Sequence, residues 1–462
     1  MKIPYDIRNQ HIYVPGKTRH GKSTLLGEMA LQDIEQEPIG AGVCVIDPKG
    51  DLVSKMLHWI PESRKDDCIY IDPDNPISID FWDAASPREE ETLSDELKHL
   101  ITKGVSTDSM PLMESIISDV IQTLFEAKKN GLNPAPTVLD IHDFLALPSC
   151  RRRVMNCIKS ERWKERWSEG NFPNAKDRQP TLTRMNRYVN SEYLKTILGC
   201  SKPKLNIARV MDDRKILLVN LGGIDEPSRI FATILVSKIY QAAKRRAKLP
   251  ESERIPFHLY VDEFEFFQTQ DFTNILSFAG GYGLRLTLAN QFLSQLDSTI
   301  KASIKGNVDS FIIFKLSPED AREFRYLSDA YYRDDRGNPL PLDLANIHKH
   351  WAFYAISGQT KVYAPTKPPR GQSPVSYAPY IRNRMLRDYR CPSGQTPPTP
   401  LNSEHGKPDP ESTEGTVLPD QKQTPGPSSA SGSLRPTEQG SRRSPPKAGT
   451  QPKRHPDRKP DP

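Results

Sequence analysis

Gly16, Gly21, Lys22 and Ser23 stand in the stretch GKTRHGKST, residues 16–24, at the spacing G-x-x-x-x-G-K-[ST]. That spacing suits a phosphate. Two glycines let backbone N–H groups curl around phosphate oxygens, and a following helix adds partial positive charge at its N-terminus. Lys22 would reach the β/γ-phosphates of a nucleotide, and the Ser23 hydroxyl would ligate Mg²⁺. Gly16, Lys17, Thr18, Gly21, Lys22, Ser23 and Thr24 are therefore the expected nucleotide-contacting residues. The flanks agree with the motif. HIYV (residues 11–14) reads as a strand before it, and Leu25, Leu26, Met29 and Ile34 follow at helical spacing.

A second acidic constellation completes the chemistry. FHLYVDE, residues 257–263, ends an apolar strand on Asp262 and Glu263. Beside a P-loop this is a Walker B arrangement. Asp262 would hold the Mg²⁺ shell, and Glu263 would polarise the attacking water. Gln291 follows the apolar run LRLTLAN and could sense the γ-phosphate and orient water; a polar residue starting a helix is the other reading. Asp47, in VIDPKGDLV, ends a strand. Asp-Pro-Lys-Gly is a good turn sequence, and a contact to nucleotide or to a subunit is equally open. The stretch 150–167 combines seven Arg and Lys with Trp163 and Trp167. It suits either a phosphate-tracking surface or, as the favoured reading, a solvated helix with its tryptophans turned inward. The tail's basic end could bind nucleic acid or acidic lipid weakly; a soluble tail is the commoner meaning.

These residues need a rigid frame. Seven short apolar runs begin at His11, Gly42, Cys68, Lys215, Phe257, Leu284 and Ser310. They are rich in β-branched and aromatic residues and lack polar alternation, which suits a mainly parallel sheet buried on both faces. Helical patterns between them, such as 228–246, argue an α/β core. Residues 87–213 read as an all-helical inserted subdomain, with helices expected at 110–127, 138–145, 150–167 and 181–198. The expected organisation is 1–86 and 214–370 as two parts of one α/β P-loop ATPase domain, 87–213 as the insert, and 371–462 as a mostly disordered tail. About a fifth of the residues from Cys391 onward are Pro, and none after Cys391 is Phe, Trp, Tyr or Ile. Such a segment cannot bury enough apolar surface to offset its chain entropy. A short helix is expected near 380–389.

The formal charge of +6 permits nucleic-acid binding without demonstrating it. The six cysteines have no C-x-x-C pair and no metal-ligand spacing, so free thiols in a reducing cytoplasm are expected. The N-terminus lacks the apolar run of a signal peptide, and no apolar stretch reaches the roughly 18 residues of a membrane span. Any membrane attachment would then come through a partner.

The ordered series VPGKTRHGKSTLL, VIDPKGDLV, ILLVNLGG, FHLYVDEFEFF, ILSFAGGYGLRLTLANQFLSQL and GNVDSFIIFKLSPEDA resembles the HerA/FtsK superfamily of DNA-pumping ATPases. It is most like the cytoplasmic domain of TraG/TraD-type conjugative coupling proteins of type IV secretion systems, over nearly all of residues 8–366. The resemblance implies a RecA-like domain with a helical domain that recognises a relaxosome or secreted substrate. It implies ATP and Mg²⁺ as cofactors, DNA as partner, and a hexameric ring that pulls DNA through a channel. Lys22, Ser23, Asp262, Glu263 and Gln291 fall on the family's functional positions.

Three departures accompany it. Where the family often has Ala-Arg-Lys-Tyr, with a candidate arginine finger, this chain has Ala279-Gly280-Gly281-Tyr282. The usual Phe-Arg is Phe314-Lys315. The chain begins just before the P-loop, which implies that the membrane anchor or N-terminal barrel of many relatives is missing. Two functions are therefore expected to compete: a DNA-translocating ATPase, or a nucleotide-binding assembly or recruitment protein of a mobile element. DNA-stimulated ATP turnover separates them. No LSGGQ-like signature of ABC ATPases and no NKxD motif of GTPases occurs.

Overall fold

The computed structural model describes residues 10–36, 40–102, 111–268, 270–329, 331–333 and 338–389. The seven apolar runs form β1 (Ile12–Pro15), β2 (Gly42–Asp47), β3 (Cys68–Ile71), β4 (Ile216–Asn220), β5 (Phe257–Val261), β6 (Leu284–Asn290) and β7 (Ser310–Ile313). Further on, β8 (Tyr332–Arg333) and β9 (Pro339–Leu340) make a separate two-stranded ribbon. Strands β10 (Trp351–Ala355) and β11 (Val362–Pro365) join the main sheet.

The main sheet has nine strands in the order β11-β10-β7-β1-β6-β5-β2-β4-β3. From β7 to β3 every pairing is parallel, and β10 and β11 continue the sheet antiparallel. Every residue of β2 and β5 is buried. Helices cover both faces of such strands, which is why the runs carry no polar alternation. The sheet is thus the mainly parallel α/β architecture that the apolar runs imply. The two antiparallel strands were not foreseen. VYAP is only half-buried and gives no core-strand signal, whereas WAFYA is as apolar as the central strands and was left unassigned.

The P-loop motif leads from β1 into helix α1 (Lys22–Ile34), and the Asp-Pro-Lys-Gly turn leads from β2 into helix α2 (Asp51–Leu57). Between β3 and β4 the chain runs through eight α-helices among the described residues, from Pro87–Thr102 to Ile207–Asp212. The helix Glu226–Arg245 ties this stretch to the sheet. Its Lys238 Nζ donates to the Phe81 carbonyl at 2.5 Å, and Arg245 pairs with Glu89 at 2.9 Å.

The basic and aromatic stretch 150–167 is two helices, Pro148–Met155 and Glu161–Arg166, rather than one. Its tryptophans point inward. Trp163 and Trp167 are buried, and Trp167 Nε1 donates to Thr123 Oγ1 at 2.8 Å. Arg153 and Arg166 are paired with Asp140 and Asp119. The segment is a folded helical surface, as the blander of its two readings had it. The 181–198 stretch likewise divides, into Ala175–Val189 and Glu192–Leu198.

The short helix expected near 380–389 is α3 (Ala378–Asp388), and it is docked. It packs against β3, the edge strand. Arg384 donates to the Cys68 carbonyl, Arg382 pairs with Asp72 at 2.8 Å, and Tyr380 Oη donates to Asp66 at 2.5 Å. Covering an open edge blocks intermolecular strand pairing. The expectation of a disordered tail beyond residue 389 lies outside the described residues. Cys44, Cys68, Cys150 and Cys157 are free thiols. Cys200 is disulfide-bonded, which corrects the expectation of six free thiols. Among the described residues no helix is long and apolar enough to cross a membrane.

Candidate nucleotide site

Parallel strands place all their C-terminal ends along one edge, and ligands of open α/β sheets bind there. β1 lies between β6 and β7, and β5 lies between β6 and β2. The loops after β1, β2, β5 and β6 therefore meet. Those four loops carry Gly16–Gly21, Lys49, Asp262–Glu263 and Gln291.

The P-loop is pinned to the strands beside it. Gly16 N donates to the Asn290 carbonyl at 3.2 Å, and Lys17 N donates to the Lys315 carbonyl at 2.8 Å. Gly16 is required by close approach: a Cβ there would lie 2.4 Å from Phe314 Cβ. Gly21 has φ of 112°, a left-handed value that glycine tolerates, and it caps α1. Thr18 and Thr24 lie on the loop and on the first turn of α1; the Thr18 carbonyl lies 2.8 Å from His20 Nδ1.

Lys22 is buried. Its Nζ donates to the carbonyls of Gly16 at 2.5 Å and Lys17 at 3.2 Å. Burial pulls its amine below the ordinary lysine range, while Asp262, Glu263 and Glu265 pull it back up. A folded-back ammonium held by two loop carbonyls can exchange those partners for phosphate oxygens. Ser23 Oγ donates to Asp262 Oδ2 at 2.5 Å. Burial pushes the Asp262 carboxyl up to about 6; the Ser23 hydrogen bond opposes this, and Asp47 adds to it. A buried carboxylate against a hydroxyl is a donor set that suits a hard divalent cation.

Glu263 sits in the left-handed region at φ of 45°, uncommon for a non-glycine residue, which turns its side chain back toward the strand ends. Its Oε1 accepts from Gln291 Nε2 at 3.0 Å and from Lys49 Nζ at 2.5 Å. Every residue singled out from sequence for the phosphate, metal and water roles is thus gathered at one strand edge. Asp47 is placed as the organiser of the turn. Its Oδ1 accepts from Lys49 N, and its Oδ2 from Leu52 N and Val53 N.

Three features were missed. Lys49 was hidden inside a sequence read only as a turn. Glu265, pushed up to about 7 first by burial and also by Glu263 and Asp262, lies in the 3₁₀ turn Phe264–Phe267 and was assigned no role from sequence. Arg370 was taken to end the folded region. Instead it binds Glu28 on α1 at 2.9 Å and Glu35, which caps the C-terminus of α1, at 2.6 Å. Residues 369–373 thereby wall a cavity of about 690 Å³ that reaches from Ser23, Thr24, Asp262 and Glu263 to Trp59.

Residues 256–331 match the family model described as the TraM recognition site of TraD and TraG. That segment carries β5, Glu263, Gln291 and β7. Solved structures agree over most of the chain. The plasmid coupling protein TrwB bound to the non-hydrolysable GTP analogue GDPNP is 18% identical, with a TM-score of 0.57, covering 81% of this chain and 90% of that one. The fold is that of TrwB. TrwB with the ATP analogue ADPNP gives 17% identity and a TM-score of 0.56 over 81% and 90% of the two chains. TrwB with ADP and Mg²⁺ gives 17% and 0.51 over 81% and 89%. No curated protein sequence matches the chain. The TraG/TraD-like resemblance seen in the ordered motifs thus holds in the matched segment and, through TrwB, in the fold. At these identities the coupling-protein likeness speaks for architecture, and function has to come from the site.

Proposed function

We propose that this chain is an ATP-hydrolysing motor of the conjugative coupling-protein kind, acting on DNA in conjugative transfer or type IV secretion. The observation that carries it is the Ser23–Asp262 hydrogen bond beside Glu263 and Gln291, at the mouth of a P-loop. The TrwB structures hold nucleotide, and one holds Mg²⁺. The matched segment is named for recognition of TraM, which supports a relaxosome partner. A homo-hexameric ring and a place at the cytoplasmic face of a secretion channel belong to the same reading.

In this reading Gly16, Lys17, Thr18, Gly21, Lys22 and Thr24 hold the triphosphate, and Lys22 leaves the loop carbonyls for the β/γ-phosphates. Ser23 and Asp262 would hold Mg²⁺, which neutralises charge on the phosphate oxygens. Glu263 takes a proton from water while Gln291 fixes the water and the carboxylate. The water oxygen bonds to the γ-phosphorus, and the bond to the β–γ bridging oxygen breaks. ADP leaves with that oxygen.

The test is a steady-state ATPase assay with and without DNA, on protein whose oligomeric mass is measured in the same buffer. Turnover that rises with DNA in an assembled ring is expected. Nucleotide binding without turnover favours the second reading, an assembly or recruitment switch. That reading draws on Gly280, where the resembled family has an arginine.

A further inference from the structure

The turn after β2 carries a cation with no role in the reaction above. Asp47 fixes this turn: its carboxylate accepts from Lys49 N at 3.0 Å, Leu52 N at 2.7 Å and Val53 N at 3.3 Å. Gly50 adopts φ of 79°, and a Cβ there would lie 2.1 Å from Asn220 Oδ1, so the turn admits little other than glycine. The backbone origin of Lys49 is therefore set, while its side chain is free to swing. That side chain is 57% exposed, whereas the Glu263 side chain it meets is 9% exposed.

Lys49 Nζ lies 2.5 Å from Glu263 Oε1, the same oxygen that accepts Gln291 Nε2 at 3.0 Å. A carboxylate oxygen that already accepts from an ammonium and an amide has its acceptor sites occupied and cannot at the same time face a water. Lys49 also lines the cavity that contains Ser23, Thr24 and Asp262, so its reach covers both the carboxylate and the place where a terminal phosphate would sit. Partial desolvation pulls the Lys49 amine down, but its hydrogen bond and attraction to Glu263 raise it above the usual lysine value, so it is a full cation.

We propose that Lys49 is a switching cation of this site: without a terminal phosphate it clamps Glu263, and with a nucleoside triphosphate bound it transfers to the γ-phosphate oxygens and releases Glu263 for the water. Two facts favour the transfer. An ion pair with an exposed lysine is weak, so leaving Glu263 costs little. A terminal phosphate offers more negative charge and more acceptor oxygens than one carboxylate. Lys49 thereby reads the γ-phosphate and licenses the base in one movement. A nucleoside diphosphate leaves the clamp closed. This step rests on the ATP-hydrolysing reading of the same site.

The experiment compares the parent with Lys49→Met and Lys49→Arg, all shown to melt at the same temperature. Calorimetry in Mg²⁺ measures affinity for ADPNP and for ADP, and a steady-state assay measures kcat. Lys49→Met should lose about tenfold in ADPNP affinity, the scale of one charged contact, with ADP affinity unchanged. Its kcat should fall, and Lys49→Arg should restore part of both. An unchanged ratio of ADPNP to ADP affinity in Lys49→Met overturns the transfer and leaves a surface ion pair only. A rise in kcat at unchanged affinity also overturns it, since Lys49 would then only inhibit. A parent that binds neither nucleotide fails differently: it overturns the ATP-hydrolysing reading, and this step goes with it.

Discussion

Ser23 and Asp262 are 239 residues apart in the chain and share a hydrogen bond of 2.5 Å. The contact exists because β6 lies between β1 and β5, so the loop after β1 and the end of β5 face each other across one strand. A hydroxyl at the start of α1 and a buried carboxylate form one polar unit, and Lys22 lies one residue away on the same turn.

Lys22→Ala should weaken ATP binding by about 10- to 100-fold, the range for losing charge-assisted hydrogen bonds. The Lys22 ammonium is held by loop carbonyls alone, so its removal leaves the strands and the Ser23–Asp262 contact in place. Calorimetry with Mg²⁺ measures it. Equal affinity in mutant and parent removes the phosphate role from this loop.

Glu263→Gln should keep ATP binding and lower turnover at least about a hundredfold, typical of losing a general base. The amide keeps an oxygen for Gln291 but cannot take a proton. Loss of binding together with turnover would show that the left-handed turn at Glu263, and not its chemistry, was disturbed.

The seven parallel strands were legible because strands buried on both faces must be continuously apolar, and KILLVNL and FHLYVDE leave no other reading. The candidate phosphate and metal residues could be singled out because their spacing is local: Gly16 to Ser23, and Asp262 beside Glu263. Lys49 could not, because nothing near it in sequence tells where a turn lysine points; its partner lies 214 residues away. Arg370 failed for the same reason. It follows the last strand in a proline-containing stretch, and only the fold brings Glu28 and Glu35 beneath it.

The helix α3 should matter to stability, and the segment beyond it should not. Arg384 is buried and donates to the Cys68 carbonyl on the edge strand. Arg384→Ala should cost about 2 kcal/mol, the range for a charged hydrogen bond, and lower the melting temperature by several degrees. Removing residues 392–462, which contain no aromatic residue, should leave melting and ATP binding unchanged. A calorimetric scan of both variants decides between docked helix and passive tail.

His11 sets an acid limit on the fold. Burial first, then the nearby Arg285 charge, lower its pKa from 6.5 to about 4, and its Nδ1 accepts from Leu286 N at 3.1 Å. Between pH 4 and 6.5 the unfolded chain binds a proton here that the folded chain refuses. Stability from this group is present above pH 6.5 and declines as pH falls to 4, by about 3 kcal/mol in all. His11→Asn keeps an acceptor for Leu286 and does not titrate. Urea titrations at pH 7 and pH 4.5 should show a smaller difference in the variant than in the parent.

The arginine that the resembled family places at position 280 would serve a neighbour. Gly280 lies in the turn before β6, while Gln291 follows that strand. Seven residues at about 3.3 Å each separate the two ends by roughly 20 Å, so position 280 faces the edge of the sheet away from its own P-loop. Lys315 is on the other edge, where its carbonyl holds Lys17 N at 2.8 Å, so it acts within its own chain if it acts at all. Position 280 also has room: a Cβ there meets nothing nearer than 3.6 Å. Gly280→Arg should therefore fold normally and raise ATP turnover in assembled rings, by at least about tenfold against the 10³–10⁵ a finger can supply. Protein carrying both Gly280→Arg and Lys22→Ala cannot turn over alone, but mixed with the parent it should lift the parent's sites, since the new arginine reaches across. Lys315→Ala and Arg322→Ala, the latter on the helix Pro318–Glu323 that follows β7, mixed in turn with Lys22→Ala, complete the set. Partial rescue in either mixture would make that residue the finger in trans, and for Lys315 it would contradict the placement beside its own loop. No gain from Gly280→Arg in rings of confirmed mass would mean that the subunit interface does not bring position 280 to a neighbour's phosphate.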